Sequence, residues 1–217
     1  MLKSSFFHGD GVISSLAREK FMFYALGIVM FTFGIVLTLQ SGLGISPFDA
    51  LLVGLHRTIG LTIGSWEVIL GALMLLLNAL LLQRHPAYLG LLTALMIGVC
   101  IDLWVVILDG WVQPETLAGQ LICFTLGLIV NGFGIATYLQ ANFAPVPFDG
   151  TMLAVTELTG FNVSISRAFI FIVLVILAFI FNGPIGIGTL LITFLSGVTI
   201  NFFHPYVEKM KRLIELG

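Results

Sequence analysis

From residue 21 onward the chain alternates long apolar runs with short polar breaks. Six runs, 21–40, 64–83, 87–108, 118–140, 165–182 and 186–203, carry almost no charge. Each is near the roughly 20 helical residues that a hydrocarbon core of about 30 Å demands. Two further stretches are shorter and more mixed. The first, residues 47–60, opens with Ser46 as N-cap and Pro47 at the first helical position, and closes on Gly60, which predicts a helix. At 1.5 Å rise such a helix is about 21 Å long, too short to cross alone. The extended segment 41–46 reaches roughly 20 Å, enough to bring the chain back to the membrane midplane. The pattern predicts a re-entrant half-helix enclosed by protein or a water-filled cavity; an amphipathic helix at the membrane surface is the alternative.

The same plan is written twice. Pro47-Phe48-Asp49 returns as Pro147-Phe148-Asp149, and Leu26-Gly27, Phe33-Gly34-Ile35, Leu39-Gln40 and Gly60 return one hundred positions later. Gly98-Val99 and Ile101 reappear as Gly197-Val198 and Ile200, one residue out of step. Each half therefore holds three spans and one half-helix. An odd number of spans gives the halves opposite orientations, the inverted-repeat arrangement of many transporters. The expected fold is all-α and polytopic, with repeats over 21–110 and 118–205, an N-terminal tail 1–20 and a basic C-terminal tail 206–217.

Composition agrees with membrane embedding. The chain is 59% hydrophobic and 9% charged, against about a quarter charged in a soluble domain. A net charge of −2 without a basic stripe gives no reason to expect a nucleic-acid partner. Cys100 and Cys123 lack ligand spacing, so neither a disulfide framework, a metal site nor a cofactor is expected. Arg18, Lys20, Arg84, Lys209, Lys211 and Arg212 fall on one side of a six-span topology, with Asp109 and Glu115 on the other, which predicts cytoplasmic termini.

Candidate chemistry concentrates at the repeated motif. Asp49 and Asp149 stand third in their helices, where a carboxylate can cap the first turn or contribute charge to a site between two helix N-termini. Free N–H groups there would favour an anion and the carboxylates a cation or proton, and both remain open. Pro47, Phe48, Pro147 and Phe148 would form the walls, and Asp102, an acid within a span, is a further binding candidate. Arg57 and Glu67 are mirrored by Glu157 and Arg167 with the charges exchanged, which predicts two structural ion pairs, Arg57–Glu67 and Glu157–Arg167. Gly27 and Gly34, and Gly127 and Gly134, are seven apart and predict close packing of the first span of each half. No nucleophile–base set, metal motif or phosphate loop is present, so an enzyme is not expected.

The segment Gly42-Leu43-Gly44-Ile45-Ser46-Pro47-Phe48-Asp49-Ala50-Leu51, with Gly54-Leu55 and Gly60-Leu61-Thr62-Ile63-Gly64-Ser65-Trp66, resembles the YczE/YyaS/YitT family of bacterial integral membrane proteins. The likeness runs from about residue 20 to 205 and leans towards the YczE branch. It rests on a G-x-x-P-[WF]-D signature, from which Ala144-Pro145-Val146-Pro147-Phe148-Asp149 departs at the glycines. The resemblance implies a bacterial cytoplasmic membrane and six helices, and names no substrate. The residues point to a small gradient-driven transporter or channel for an unknown small molecule or ion, with a midplane site. The alternatives are a membrane scaffold or regulatory partner, or the substrate-binding subunit of a multi-component uptake system. A homo-oligomer or a partner subunit is compatible with each.

Overall fold

The computed structural model describes residues 6–86, 88–141, 143 and 146–215; for 6–19, 214 and 215 it describes the backbone alone. Residues 1–5 and 216–217 of the expected tails, and Ala144-Pro145 of the second motif, lie outside that set. The described residues form eight helices: α1 (Phe6–Gln40), α2 (Pro47–Ile59), α3 (Ile63–Leu82), α4 (Tyr88–Leu108), α5 (Leu117–Ala141), α6 (Pro147–Thr159), α7 (Val163–Ile180) and α8 (Ile187–Glu215). Six are long and apolar enough to cross a membrane, beginning at Lys20, Ile63, Tyr88, Leu117, Val163 and Ile187. Helix α1 starts inside the expected N-terminal tail, and α8 runs through Pro205 into the expected C-terminal one.

The two short helices form for the reasons the sequence supplies. Ser46 caps α2 by accepting the Asp49 N–H, Pro47 occupies the first turn, and Gly60 ends the helix at φ 97°. Helix α6 lacks a side-chain cap because Val146 replaces the serine, and Gly160 ends it at φ 70°. The segment 41–46 that leads into α2 is fastened to the start of α8 by Gly188 N–H donating to Leu43 O at 2.8 Å.

Helices α1 and α5 make the most extensive contact in the molecule, and the paired glycines explain how. A Cβ on Gly34 would come within 2.4 Å of Asn131 N, and one on Gly134 within 2.3 Å of Phe31 N. Gly27 and Gly127 approach the Tyr138 backbone and Thr38 in the same way. With little hydrophobic drive between helices in lipid, close backbone approach of this kind supplies the packing.

Around this axis the short helices pack on the opposite half: α2 lies against α7, and α6 against α3. Arg57, near the end of α2, donates to Asn182 O in the α7–α8 turn. Glu157, near the end of α6, pairs with Arg84 in the α3–α4 turn. The two short helices thus finish at opposite ends of α3, α2 beside its start and α6 beside its close.

Candidate functional site

Both Pro-Phe-Asp turns arrive at one place. The Phe48 and Phe148 ring centroids lie 5.8 Å apart, and Phe148 stacks on Phe171 of α7 at 5.7 Å. Beside them is a cavity of about 210 Å³. Fourteen of its 22 lining residues fall into seven pairs separated by one hundred positions. Phe31/Asn131, Ile35/Ile135 and Thr38/Tyr138 come from α1 and α5. Ser46/Val146, Phe48/Phe148 and Asp49/Asp149 come from the two motifs, and Glu67/Arg167 from α3 and α7.

The two aspartates are held differently. Ser46 Oγ donates to Asp49 Oδ2 at 2.5 Å while accepting the Asp49 N–H at 3.2 Å, so one hydroxyl both caps α2 and fixes its carboxylate. In α6, where Val146 has no hydroxyl, Tyr138 of α5 donates to Asp149 Oδ2 at 3.1 Å instead. Neither aspartate side chain accepts a backbone N–H from its own first turn among the described residues. Both carboxylates border the cavity. Pro47 and Pro147 are buried behind them; Pro147 O accepts from Thr151 Oγ1 at 3.3 Å and lies at 3.5 Å from Asn78 Nδ2.

The expected ion pairs do not form. Glu67 faces the cavity on α3, while Arg57 points to Asn182 O at 3.2 Å. Glu157 pairs with Arg84 at 2.8 Å, and Arg167 turns inward on α7. The cause is rotational phase. Arg57 sits outside the buried stripe of α2, and Glu67 lies on the buried face of α3, so sharing a membrane side does not make them neighbours.

Glu67 and Arg167 therefore belong to the site itself. Arg167 Nη2 donates to Ser196 Oγ at 3.1 Å, the guanidinium lies 5.1 Å from the Phe171 centroid, and Asp149 is within its electrostatic reach, while its Nε is buried without a hydrogen-bond partner among the described residues. Glu67 is 3% exposed and has neither a hydrogen bond nor an ion pair among the described residues. The like charge of Asp49 acts on it. Asp102 is outside the cavity: its Oδ1 accepts the Gly64 N–H at 2.8 Å and ties the start of α3 to α4. Among the described residues no group of three His, Cys, Asp or Glu side chains gathers as metal ligands would.

Tyr138, Phe171 and Ser196 were not anticipated. Tyr138 aligns with Thr38 in the repeat, but that alignment alone does not reveal an inward-facing hydroxyl.

Comparison with known proteins settles the relationship. Residues 18–205 match the Family of unknown function (DUF6198). The chain belongs to this family. It is 46% identical over 190 residues to Uncharacterized protein YyaS of Bacillus subtilis, an alignment covering 88% of this chain and 94% of that one. It is 36% identical over 187 residues to Uncharacterized membrane protein YczE of the same organism, covering 86% of each. A protein of Haemophilus influenzae is 29% identical over 195 residues, 88% of this chain and 85% of the relative. The expected leaning towards YczE is thus reversed, since identity to YyaS is higher. No solved structure matches the chain. The family member is a membrane protein with six apolar spanning helices.

Proposed function

We propose that this protein is a small gradient-driven transporter, built as two inverted repeats, that binds its substrate between the two Pro-Phe-Asp motifs. The observation that carries the reading is the cavity lining: seven equivalent pairs meet around one space, both aspartates included. A scaffold has no need of buried charge in such a space, and intramembrane ionisable groups are rare without a function. The opposite ends at which α2 and α6 finish support the inverted relation. Basic residues at both termini and Arg84 support cytoplasmic ends in a bacterial inner membrane. The reading assigns no catalysis.

A difference between the halves supports transport over a static pore. At the start of α3, Gly64 and Gly98 touch so closely that a Cβ on Gly64 would lie 2.0 Å from Gly98 O, and Asp102 bonds across the contact. The equivalents in the second half are Ser164, Gly197 and Asn201. A Cβ on Gly197 would meet nothing within 4 Å, and Asn201 is exposed. At one end α3 packs tightly on α4, while the matching α7–α8 contact is looser, bridged by Arg167 and Ser196. With cytoplasmic termini the loosened end faces the cytoplasm. Closing α7 on α8 while α3 parts from α4 exposes the site to the other side.

Thiol labelling tests this without knowledge of the substrate. In a Cys100→Ala, Cys123→Ala background, Ile135→Cys should react with a membrane-impermeant maleimide added from the cytoplasmic face. Joining Ser164→Cys to Gly197→Cys by oxidation should move that reactivity to the outer face. Labelling from neither face in either state would remove the central-site reading and leave the scaffold.

A further inference from the structure

Glu67 is the group in the cavity whose charge nothing answers. It is 3% exposed, lines the space and has no hydrogen-bond or ion-pair partner among the described residues. Burying a carboxylate costs several kcal/mol unless a counter-charge or a proton meets it. Arg57, the basic side chain nearest to it in sequence, is engaged at Asn182. Arg167, the cation of the cavity, donates to Ser196, lies against Phe171 and acts on Asp149, so its charge is spent at the other motif. At the Glu67 end there remain two carboxylates, Glu67 and Asp49, and no fixed positive charge among the described residues lining the cavity. Asp49 is oriented by Ser46, whereas Glu67 has nothing to orient it.

The walls beside this acidic end are aromatic and aliphatic. Phe48 and Phe148 meet at a tilt of 38° beside the carboxylates, with Phe31, Ile35 and Ile97 also lining the space. An aromatic surface attracts an ammonium group through its ring quadrupole, more strongly when water is excluded. A bare metal ion would need several oxygen ligands held close together, and the described residues gather no such group. An organic anion drawn to Arg167 would sit within reach of the like charge of Asp149.

Building on the transport reading, we propose that the cavity binds a small organic monocation. Its ammonium group sits between Glu67 and Asp49, and its apolar body lies against Phe48 and Phe148. Glu67 is the specificity-determining residue, and Asp49 a pre-oriented second acceptor. The Asp149–Arg167 end is closer to neutral and accommodates the uncharged part of the ligand.

The test uses three probes of one shape: phenethylammonium, 2-phenylethanol and 3-phenylpropanoate. Each is titrated by calorimetry and thermal unfolding into the full-length protein in lipid nanodiscs. Phenethylammonium should bind and raise the Tm, the alcohol should bind at least tenfold more weakly, and the carboxylate should not bind. Glu67→Gln should weaken the ammonium at least tenfold, about 1.4 kcal/mol, and Glu67→Asp should recover part of it. The apo Tm of Glu67→Gln should be equal to or above wild type, because a buried unpaired charge is removed; a structural salt-bridge partner would lose stability instead. Preference for the carboxylate, lost in Arg167→Gln, would overturn the cation assignment and keep the central site. Absence of binding by all three probes, with Ile135→Cys still labelled, would also overturn the assignment. Failure of that labelling would remove the transport reading itself.

Discussion

At the residue scale, what separates a site from a set of helix caps is the direction in which two carboxylates look. Ser46 performs the capping of α2, so Asp49 is spared for the cavity, and in α6 Tyr138 takes the serine's part as a holder of the acid. Tyr138→Phe should therefore leave folding intact yet loosen Asp149. The expected outcome is a lowered Tm reflecting a loss of about 1.5–3 kcal/mol, as for one hydrogen bond to a charged group, with a larger effect on ligand response than Thr38→Val in the other half. Glu157→Gln removes the Arg84 pair, whose side chains are 51% and 64% exposed. Its cost should stay under about 1 kcal/mol in thermal unfolding, the range of exposed pairs. The sequence pointed to these four charges correctly by their exchange between halves and misassigned their partners. Sequence spacing says that Arg57 and Glu67 share a membrane side, but the rotation of each helix is set by packing against the other half, which lies one hundred residues away. Glu67 and Arg167 could have been recognised as inward-facing only by reading α3 against α6 and α7 against α2.

At the element scale, the spans and the half-helices were legible because their causes are local. Apolar length marks the six spans, and Ser46, Pro47 and Gly60 bracket α2 in the sequence as they do in space. The α1–α5 contact was legible too, since glycines seven apart must share a face and small faces seek backbone. Gly34→Val tests that contact. A Cβ 2.4 Å from Asn131 N meets backbone rather than a movable side-chain end. The loss should therefore reach or exceed the 1–3 kcal/mol usual for overpacking, read as a lowered Tm or loss of monodisperse protein. The glycines of the other two helix pairs separate structure from motion. Gly64→Ala should drive α3 from α4 and shift Ile135→Cys reactivity towards the outer face. Gly197→Ala has open space in this conformation and should fold normally, yet hinder closure of α7 on α8 and slow outward labelling. Equal, small effects of both changes would indicate that these contacts do not alternate.

At the scale of the whole molecule, the two halves share a plan without being identical in state, and composition could not reveal that difference. One pair of end helices is zipped by glycine and Asp102, and its counterpart is looser, with open space at Gly197. The repeat in the sequence predicts two equal halves; the asymmetry follows local substitutions, Ser164 for Gly64 and Asn201 for Asp102. The unanswered charge of Glu67 has an electrical consequence. A monovalent cation carried inward past it moves one elementary charge through the full field, a gain of about 2.3 kcal/mol per 100 mV of interior-negative potential. At about 1.4 kcal/mol per tenfold ratio, that voltage alone sustains a roughly fiftyfold accumulation. On the proposed reading membrane voltage alone would concentrate such a cation, and reconstituted vesicles should register its transport as current.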